Sequence, residues 1–346
     1  MMSIVNANNI LIKFTIYAIL LILIIAPGAM AGEYAADFMR IGVGARALAM
    51  GGAFTALADD ATSFYWNPAG LASVKKKVLH VDHVPMFDGL AQYNTVNFSM
   101  GLNRNMSVGL SWIRHGEDDI PRYGELQGTR LERLTNPKFR STGEPDGFFG
   151  NNENAFLFTF SRADYFDLLF NFGVNQYRIP LEFYIGISGK YILHNLDTYS
   201  GTGQGLDAGF MLRLVSDKYT KGQANSWFGI GATAFDLSRT SITWDTDSKH
   251  HDLVQTIWQT GLAASHLMPF IRTRVTLTFD KEFGFYDDYR AGGEMTFFDL
   301  LSVRGGYYME KFSAGAGFSF RGYSIDYAFI SHDLANTHRI SGSFRF

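Results

Sequence analysis

The sequence predicts an all-β fold, an antiparallel transmembrane β-barrel of about 14 strands with an N-terminal hatch segment in its lumen. Three observations predict it: the composition, an alternation of apolar and polar residues, and one apolar block near the N-terminus. The chain has 346 residues with 31 Phe, 17 Tyr and 36 Gly but only 8 Pro. This composition is typical of antiparallel sheets, in which rings pack on pleated faces and glycines relieve crowding at bends.

Charge and cysteine content exclude several classes of protein. A net charge of -3 argues against nucleic-acid binding, because neutralising phosphates requires a concentrated basic surface. The absence of Cys excludes disulfide frameworks, Cys-ligated zinc and Cys nucleophiles. No Gly-x-Ser-x-Gly, His-Glu-x-x-His or paired-carboxylate arrangement falls on a rigid predicted element, so we expect neither an enzyme nor a cofactor or metal site.

The N-terminus predicts export. Residues 14–26 form an apolar block after Lys13, and Ala29-Met30-Ala31 follows it. This block is shorter than the roughly 20 residues of a membrane-spanning helix, and the Ala-x-Ala ending suits signal peptidase. We interpret residues 1–31 as a cleaved signal peptide, with an uncleaved anchor as the alternative. Because no later segment is a candidate spanning helix, the mature chain can cross a membrane only with strands.

Apolar residues alternate with small or polar ones along most of the chain. The clearest case is residues 274–280, in which Val275, Leu277 and Phe279 alternate with polar neighbours. A soluble β-sandwich has the same period, but the number and length of the segments favour a barrel. The segments begin near Val78, Thr95, Ser107, Ala155, Leu181, Leu206, Trp227, Thr256, Thr273, Tyr289, Leu301, Phe312, Tyr323 and Thr337.

The connections alternate between short turns and long polar loops. Short turns are predicted at residues 103–106, 299–300 and 321–322, and long loops at 115–154, 194–205 and 237–252. Short turns at one rim and long loops at the other are typical of barrels in the outer membrane of a Gram-negative bacterium, which is the predicted location. Residues 164–180 break the pattern and are either an interfacial excursion or a misplaced strand.

The C-terminal segment is a further amphipathic strand. Residues 338–346 alternate and end on Phe346. A terminal aromatic of this kind resembles the signal by which the barrel assembly machinery recognises its clients. Outer-membrane lipid and this machinery are therefore expected partners.

Residues 42–72 fit neither the helical nor the strand period. They are rich in Gly and Ala, and Asn67-Pro68 predicts a turn that leads towards the first strand. We therefore predict a hatch over residues 32–76 and the barrel over 77–346. The residues expected to form the hatch and a ligand gate are Gly51, Gly52, Asp59, Asp60, Trp66, Asn67, Pro68, Ala69 and Gly70.

The hatch carries a resemblance to a known family. Residues 46–53 (RALAMGGA), 58–61 (ADDA) and 65–71 (YWNPAGL) resemble the hatch motif of the PorV/PorQ family within the FadL-like (long-chain fatty acid transporter) superfamily of outer-membrane barrels. The resemblance implies a fourteen-stranded barrel plugged by its N-terminal segment, with Asn67, Pro68 and Ala69 matching the most specific tripeptide. It covers the hatch at motif level and the remaining chain only as architecture.

Two functions are open at this stage. The first is passage of hydrophobic small molecules across the outer membrane, which the Phe-rich composition and the Gly-rich plug favour. The second is a PorV/PorQ-like role in type IX secretion, in which the barrel binds secreted proteins at the cell surface. The sequence does not identify the cargo.

Charged residues fall on the polar face of several strands. In a narrow barrel they must pair with each other or with the hatch, because an unpaired charge there costs several kcal/mol. They form either a polar conduit or a salt-bridged scaffold that holds the plug, and Asp59 and Asp60 are candidate partners for lumen-facing arginines. The predicted lumen charges are Lys190, Arg274, Asp280, Arg290, Glu294, Arg304, Asp326 and Arg345.

Two shorter motifs have ordinary explanations. Residues 42–47 match Gly-x-Gly-x-x-Ala, but no strand precedes them and no βαβ unit follows, so tight packing of small residues explains them better than dinucleotide binding. His250, His251 and Asp252 are metal-ligand types in a polar loop, where such residues are usually solvated.

Overall fold

The structure is a computed structural model that describes residues 36–86, 89–140, 143–172, 175–216, 219–220, 223–284, 287–331 and 336–346. The predicted signal peptide lies outside these residues. Within them the chain forms a short hatch of helical turns followed by strands. The strands are β1 Val78–Met86, β2 Ala91–Gly101, β3 Met106–Arg122, β4 Gly147–Phe172, β5 Asn175–Leu196, β6 Tyr199–Val215, β7 Tyr219–Thr220, β8 Gln223–Ala224, β9 Ser226–Phe235, β10 Ser241–Trp244, β11 His251–Leu253, β12 Ile257–Met268, β13 Thr273–Phe283, β14 Tyr289–Phe297, β15 Leu301–Tyr308, β16 Lys311–Phe320, β17 Tyr323–Ile330 and β18 Thr337–Arg345.

Fourteen of the described strands close a single antiparallel barrel, as predicted. They are β1 to β6, β9 and β12 to β18, each paired with its neighbour, and β6 pairs with β9. The barrel closes where β18 pairs with β1, from Val78 opposite Arg345 to His83 opposite Ile340. β10 and β11 extend the sheet from the outer end of β6, and β7 and β8 form a separate small hairpin.

The structure corrects predicted connections at both rims of the barrel. Residues 194–205 are not a long loop, because β5 and β6 are joined by a tight turn after Leu196. The loop predicted over 115–154 is shorter, since β3 continues to Arg122 and β4 begins at Gly147. At the periplasmic rim, the segment predicted as an excursion or a misplaced strand is strand, since residues 164–172 continue β4 and pair with residues 175–183 of β5. In each case strand pairing extends beyond the lipid, where the apolar alternation that marks a strand in the sequence is lost.

The two faces of the wall differ as a membrane barrel requires. Leu277 and Phe158 face outward, and their side chains are 61% and 55% exposed. Asp280 faces the lumen on the same strand as Leu277 and is fully buried. An outward band of bare apolar side chains with no unpaired strand edge is stable only in lipid. The rim that carries the connection between β3 and β4 is therefore the extracellular one, and the opposite rim, where β18 ends beside Val78, faces the periplasm.

The hatch is built from short helical turns. They are the 3-10 helix Asp37–Arg40, the helix Ala45–Ala49, the helix Ser63–Trp66 and the 3-10 helix Pro68–Ser73. A further helix, Arg130–Thr135, lies in the extracellular loop and begins with a capping box between Thr129 and Glu132. In the described part of the chain, no helix has the length and apolar character needed to cross a membrane.

We expect Leu277→Arg to impair insertion, because it places a charge near the middle of the lipid-facing band. The expected cost is about 2–4 kcal/mol, measured as the free energy of unfolding in lipid vesicles. Leu277→Phe is the matched control and should insert normally. Equal stability of the Arg and Phe variants would contradict a lipid-facing position for Leu277.

Candidate functional site: the hatch and the cavity above it

The hatch fills the middle of the lumen and forms the main buried core of the protein. Met50, Phe54 and Leu57 are at most 1% exposed. They pack with Trp66 and with wall residues such as Tyr184 in one apolar cluster. The ring of Phe54 meets that of Trp66 edge-on at 6.3 Å. The core of this barrel is therefore made between the plug and the wall.

The hatch backbone approaches the wall closely because wall glycines leave room for it. A Cβ atom on Gly209 would lie 2.0 Å from Asn67 Oδ1, and one on Gly186 would lie 2.3 Å from the carbonyl carbon of Pro68. Glycines on successive strands continue this belt around the inner wall. They are Gly186, Gly209, Gly231, Gly261, Gly292, Gly306 and Gly315, and each would place a Cβ within 3.0 Å of a hatch atom.

Asn67 joins the hatch to itself and to the wall. Its side-chain Nδ2 donates to Thr55 O at 2.8 Å and to Phe210 O at 3.1 Å, while its Oδ1 accepts from Ala69 N at 3.1 Å. It caps the 3-10 helix that begins at Pro68. A side chain with both donors and an acceptor is needed here, which explains Asn before the Pro-Ala-Gly turn.

Wall side chains satisfy the irregular hatch backbone. Asp280 on β13 accepts from Phe54 N and Thr55 N, both at 2.8 Å. Closer to the extracellular side, Arg339 on β18 donates to Gly42 O at 2.9 Å and to Ile41 O at 3.0 Å. These contacts hold two bends of the hatch at opposite sides of the lumen.

Arg46 is the electrostatic centre of the hatch. It contacts Asp59 at 2.6 Å and Asp60 at 3.0 Å within the hatch, and Glu294 on β14 at 2.9 Å. Glu294 also binds Arg304 at 2.6 Å, and Arg304 binds Asp326 at 2.7 Å. One connected network therefore links the hatch to β14, β15 and β17.

The charge of Asp60 is stabilised within this network. Burial alone would raise its pKa, but the Arg46 guanidinium and two hydrogen bonds from Thr62 outweigh burial and lower it. Burial raises the pKa of Tyr65 to about 12, so this phenol stays neutral. The hatch therefore holds Asp60 ionised and Tyr65 protonated at neutral pH.

A cavity of about 430 Å³ lies between the hatch and the extracellular rim. Its floor includes hatch residues, and its upper walls include Met86, Phe235 and Ile330 at the extracellular ends of their strands. Most lining side chains are apolar or aromatic. The apolar and aromatic members include Met39, Ile41, Leu48, Phe64, Tyr65, Trp66, Leu157, Ile192, Val254, Ile257 and Phe312.

Buried hydrogen-bond donors also line this cavity. Gln259 is 2% exposed, yet its Nε2 has no partner among the described residues. The Nε atoms of Arg290 and Arg339 are likewise buried without a partner in the described part of the chain. These nitrogens are closed to solvent, but the side chains of Gln259, Arg290 and Arg339 belong to the cavity lining. Because burying an unpaired donor costs about 1–3 kcal/mol, a small rotation that turns one of them towards a ligand's acceptor oxygen would be favourable.

The structure divides the residues predicted for the hatch among three locations. Gly51, Gly52 and Trp66 line the cavity, and Trp66 donates to Val43 O at 2.9 Å. Asp59 and Asp60 instead face Arg46, a hatch residue rather than a wall arginine. The turn from Asn67 to Gly70 lies against β5 and β6, where a Cβ on Gly70 would meet Ala58 O at 1.8 Å.

The predicted lumen charges also separate. Glu294, Arg304 and Asp326 belong to the Arg46 network, and Asp280 binds the hatch backbone. Lys190 forms a second cluster, 2.8 Å from both Asp207 and Asp236, beside the cavity. Two more lie elsewhere: Arg274 donates to Ser265 Oγ at 3.2 Å, and Arg345 is exposed at the periplasmic rim.

Several residues of the site were not singled out from the sequence. Arg46 lies within the recognised motif, but its partner Glu294 is remote in sequence. Arg339 and Glu282 occupy inward-facing positions of predicted strands, so the alternation of those strands could have identified both as lumen charges. Arg40 contacts Glu282 at 3.2 Å, and Arg290, one of the predicted lumen charges, binds the same carboxylate.

The loop histidines make short local contacts. His250 Nε2 lies 2.9 Å from Asp252 Oδ1, and His251 Nδ1 lies 2.9 Å from Thr243 Oγ1. No group of three or more His, Cys, Asp or Glu residues suited to a metal ion is found in the described ranges.

Comparison with known proteins gives a partial family match. A family model described as UPF0164, an uncharacterised protein family, matches residues 27–112, which include the hatch and the first strands. No curated protein matches the sequence significantly. The chain is an outer-membrane β-barrel. That statement rests on its closed strand pairing and its apolar outer band.

Among solved structures the chain is similar to hydrocarbon channels and a FadL homologue. The "TodX deltaS2S3 mutant monoaromatic hydrocarbon channel" is 11% identical, with 88% of this chain and 99% of that chain covered and a TM-score of 0.47. The toluene transporter TodX of Pseudomonas putida is 10% identical over 87% and 96%, with a TM-score of 0.45. A Pseudomonas aeruginosa FadL homologue is 10% identical over 84% and 95%, with a TM-score of 0.33. These similarities assign no ligand to this chain.

We expect Arg46→Gln to loosen the hatch while the barrel stays folded. The change leaves Asp59 and Asp60 without their cation, whereas Glu294 keeps Arg304, and the expected loss is about 3 kcal/mol. The loss of stability is measured as an increased rate of proteolytic cleavage within the hatch. Arg321→Gln, at an exposed turn, is the control and should change the free energy of unfolding by less than about 0.5 kcal/mol. An unchanged cleavage rate in Arg46→Gln would contradict the proposed anchoring.

We expect Gly209→Val to displace the hatch, because the added side chain would overlap Asn67. Gly189→Val is the matched control on the adjacent strand β5, since a Cβ there meets no atom within 4 Å. With the other four tryptophans replaced by Phe, the fluorescence of Trp66 should shift to longer wavelength only in Gly209→Val. The same spectrum in both variants would show that the wall glycine is not needed for hatch seating.

Proposed function

We propose that the chain passes hydrophobic small molecules across the outer membrane, with the hatch as its gate. The observation that carries the proposal is the cavity on the extracellular side of the hatch. It is open towards the rim, largely apolar in its lining and closed below by hatch residues. A pocket of this size and character is typical of small-molecule binding.

Passage beyond the cavity requires the hatch to move. Below the cavity the lumen is filled by buried hatch residues, including Met50, Phe54 and Leu71. The helix Ala45–Ala49 and the turn after Asn67 consist largely of small residues, so they can shift along the glycine belt with little steric cost. The contacts of the hatch backbone to Asp280 and to Arg339 are the hydrogen bonds that would have to exchange.

The lining favours molecules with an acceptor oxygen over pure hydrocarbons. Gln259, Arg290 and Arg339 line the cavity, and each has a buried donor without a partner among the described residues that a small side-chain rotation would turn towards a ligand. A carboxylate or hydroxyl would satisfy these donors while its apolar part occupies the remaining cavity. A hydrocarbon would leave them unpaired, which costs affinity.

A second candidate is binding of secreted proteins at the cell surface. One observation favours it: the extracellular extension of β3 and β4 exposes large apolar side chains above the membrane. Leu131 is 70% and Leu134 72% exposed on the loop helix, and Phe148 is 62% exposed. Deletion of residues 123–146 separates the two candidates, because it should abolish protein capture and leave small-molecule uptake intact.

We expect decanoic acid to bind the purified barrel and to alter the fluorescence of Trp66, which lines the cavity. Gln259→Leu removes one unpartnered donor at similar volume. It should weaken decanoate binding about tenfold, the value of one lost hydrogen bond to a charged group. The affinity for decane should be unchanged or higher, so the same variant serves as its own control.

Uptake by cells provides the functional arm of the test. Cells that lack other carriers should accumulate labelled decanoate only when they express the chain. Absence of both binding and uptake in folded protein would overturn the transport proposal. Binding without uptake would leave the cavity as a ligand site and overturn the role of the hatch as a gate.

A further inference from the structure

A row of polar side chains crosses the outer face of the barrel on four neighbouring strands. His83 on β1 is paired with Asn94 on β2, Asn94 with Arg114 on β3, and Arg114 with Asn154 on β4. All four alternate with buried lumen-facing neighbours, so they point outward. His83 Nδ1 lies 2.7 Å from Asn94 Oδ1.

Arg114 gives this row a positive charge without an ionic partner among the described residues. Its Nε donates to Asn152 Oδ1 at 3.1 Å, and Asn152 also accepts from Asn154 Nδ2 at 3.2 Å. These neutral amides orient the guanidinium and leave its terminal nitrogens available as donors. A guanidinium presented in this way suits a phosphate oxygen.

An apolar groove lies directly on the membrane side of this row. It has a volume of about 790 Å³ and runs over the outer faces of β2 to β6. Trp112 lies one outward position below Arg114 and donates to Asn154 Oδ1 at 3.0 Å, which joins the groove to the row. Gly189, whose Cβ position is open space, forms a depression between aromatic side chains. The other apolar lining residues on this face are Val96, Phe98, Leu110, Phe156, Phe158 and Tyr191.

The row lies at the depth of the outer headgroups. On β4 the outward residues between Asn154 and Arg162 are all Phe, namely Phe156, Phe158 and Phe160. This interval is about 26 Å long at about 3.3 Å per residue, which is a rise of about 20 Å along the membrane normal for a strand tilted by about 40° and accounts for most of the roughly 25 Å apolar band of a barrel. Arg162, paired with Asp164 at 2.8 Å, marks the periplasmic edge. Arg114 therefore marks the extracellular edge.

We propose that this face binds one lipid of the outer leaflet whose phosphate carries a net negative charge not compensated by a headgroup cation, with the phosphate at Arg114 and an acyl chain in the groove at Gly189. The phosphate would accept charge-assisted hydrogen bonds from the Arg114 guanidinium, and the acyl chain would fill the depression at Gly189. The site lies on the lipid side of the wall and is separate from the lumenal cavity. It holds the lipid irrespective of what the barrel transports.

The test uses the full chain reconstituted in vesicles of phosphatidylglycerol and phosphatidylcholine in equal parts. After mild detergent extraction, native mass spectrometry counts the lipids retained on each barrel. The wild type should retain phosphatidylglycerol over phosphatidylcholine by about tenfold, the contribution of one charge-assisted contact. Arg114→Gln should remove the preference, and Arg114→Lys should restore part of it.

The groove is tested by Gly189→Phe, which fills the depression at a position with open space and should lower retention of both lipids. Gly305→Phe on β15 and Lys281→Gln on β13 are outward-facing controls on another part of the barrel and should retain lipid as the wild type does. Heat-dependent gel mobility verifies that each variant is folded. Equal retention of the two lipids by the wild type overturns the site, as does unchanged retention in folded Arg114→Gln and Gly189→Phe.

Discussion

Irregular backbone at membrane depth must find every hydrogen-bond partner inside the protein, and the structure depends on how this barrel meets that demand. The described helical turns of the hatch have only four to six residues, so most of its amides and carbonyls cannot form hydrogen bonds with one another. Wall side chains complete them: Asp280 accepts two amides, Arg339 donates to two carbonyls, and Ser313 both accepts from Gly51 N and donates to Ala49 O. The polar lumen face is therefore a template for one particular path of the hatch.

For these hydrogen bonds to form, the hatch backbone must also lie close to the wall. Hydrogen bonds of 2.8–3.0 Å between wall side chains and hatch backbone need the two surfaces in contact, and the glycine belt permits this. On the extracellular side of the glycine belt, the wall carries larger side chains and buried charges, and a space remains between the wall and the hatch. The cavity lies in that region, beside the Lys190 cluster and the Arg40 and Glu282 pair. Seating of the hatch and the presence of a ligand space above it are two consequences of where the wall carries glycine.

Much of the architecture could be predicted from alternation, as residues 275–279 illustrate, because lipid on one side and polar atoms on the other impose a period of two. Residues 115–122 and 147–154 were not recognised as strand, since beyond the lipid both faces are polar. The contact between Arg46 and Glu294 depends on register accumulated over the whole wall, which local patterns do not encode. The unpartnered donor of Gln259 depends on packing, and no pattern in the sequence distinguishes it from other wall residues.

A reversible disulfide between the hatch and the wall, here called the hatch lock, would show whether the hatch must move for a molecule to pass. Ala45 N donates to Ser341 Oγ at 2.6 Å, so cysteines at these two positions in a chain without native cysteine can join hatch and wall. A wall-to-wall pair at Ser324 and Ser343, which face each other on β17 and β18, is the control. We expect oxidation to stop decanoate uptake only with the hatch lock, and reduction to restore it. Undiminished uptake through the oxidised hatch lock would contradict the account.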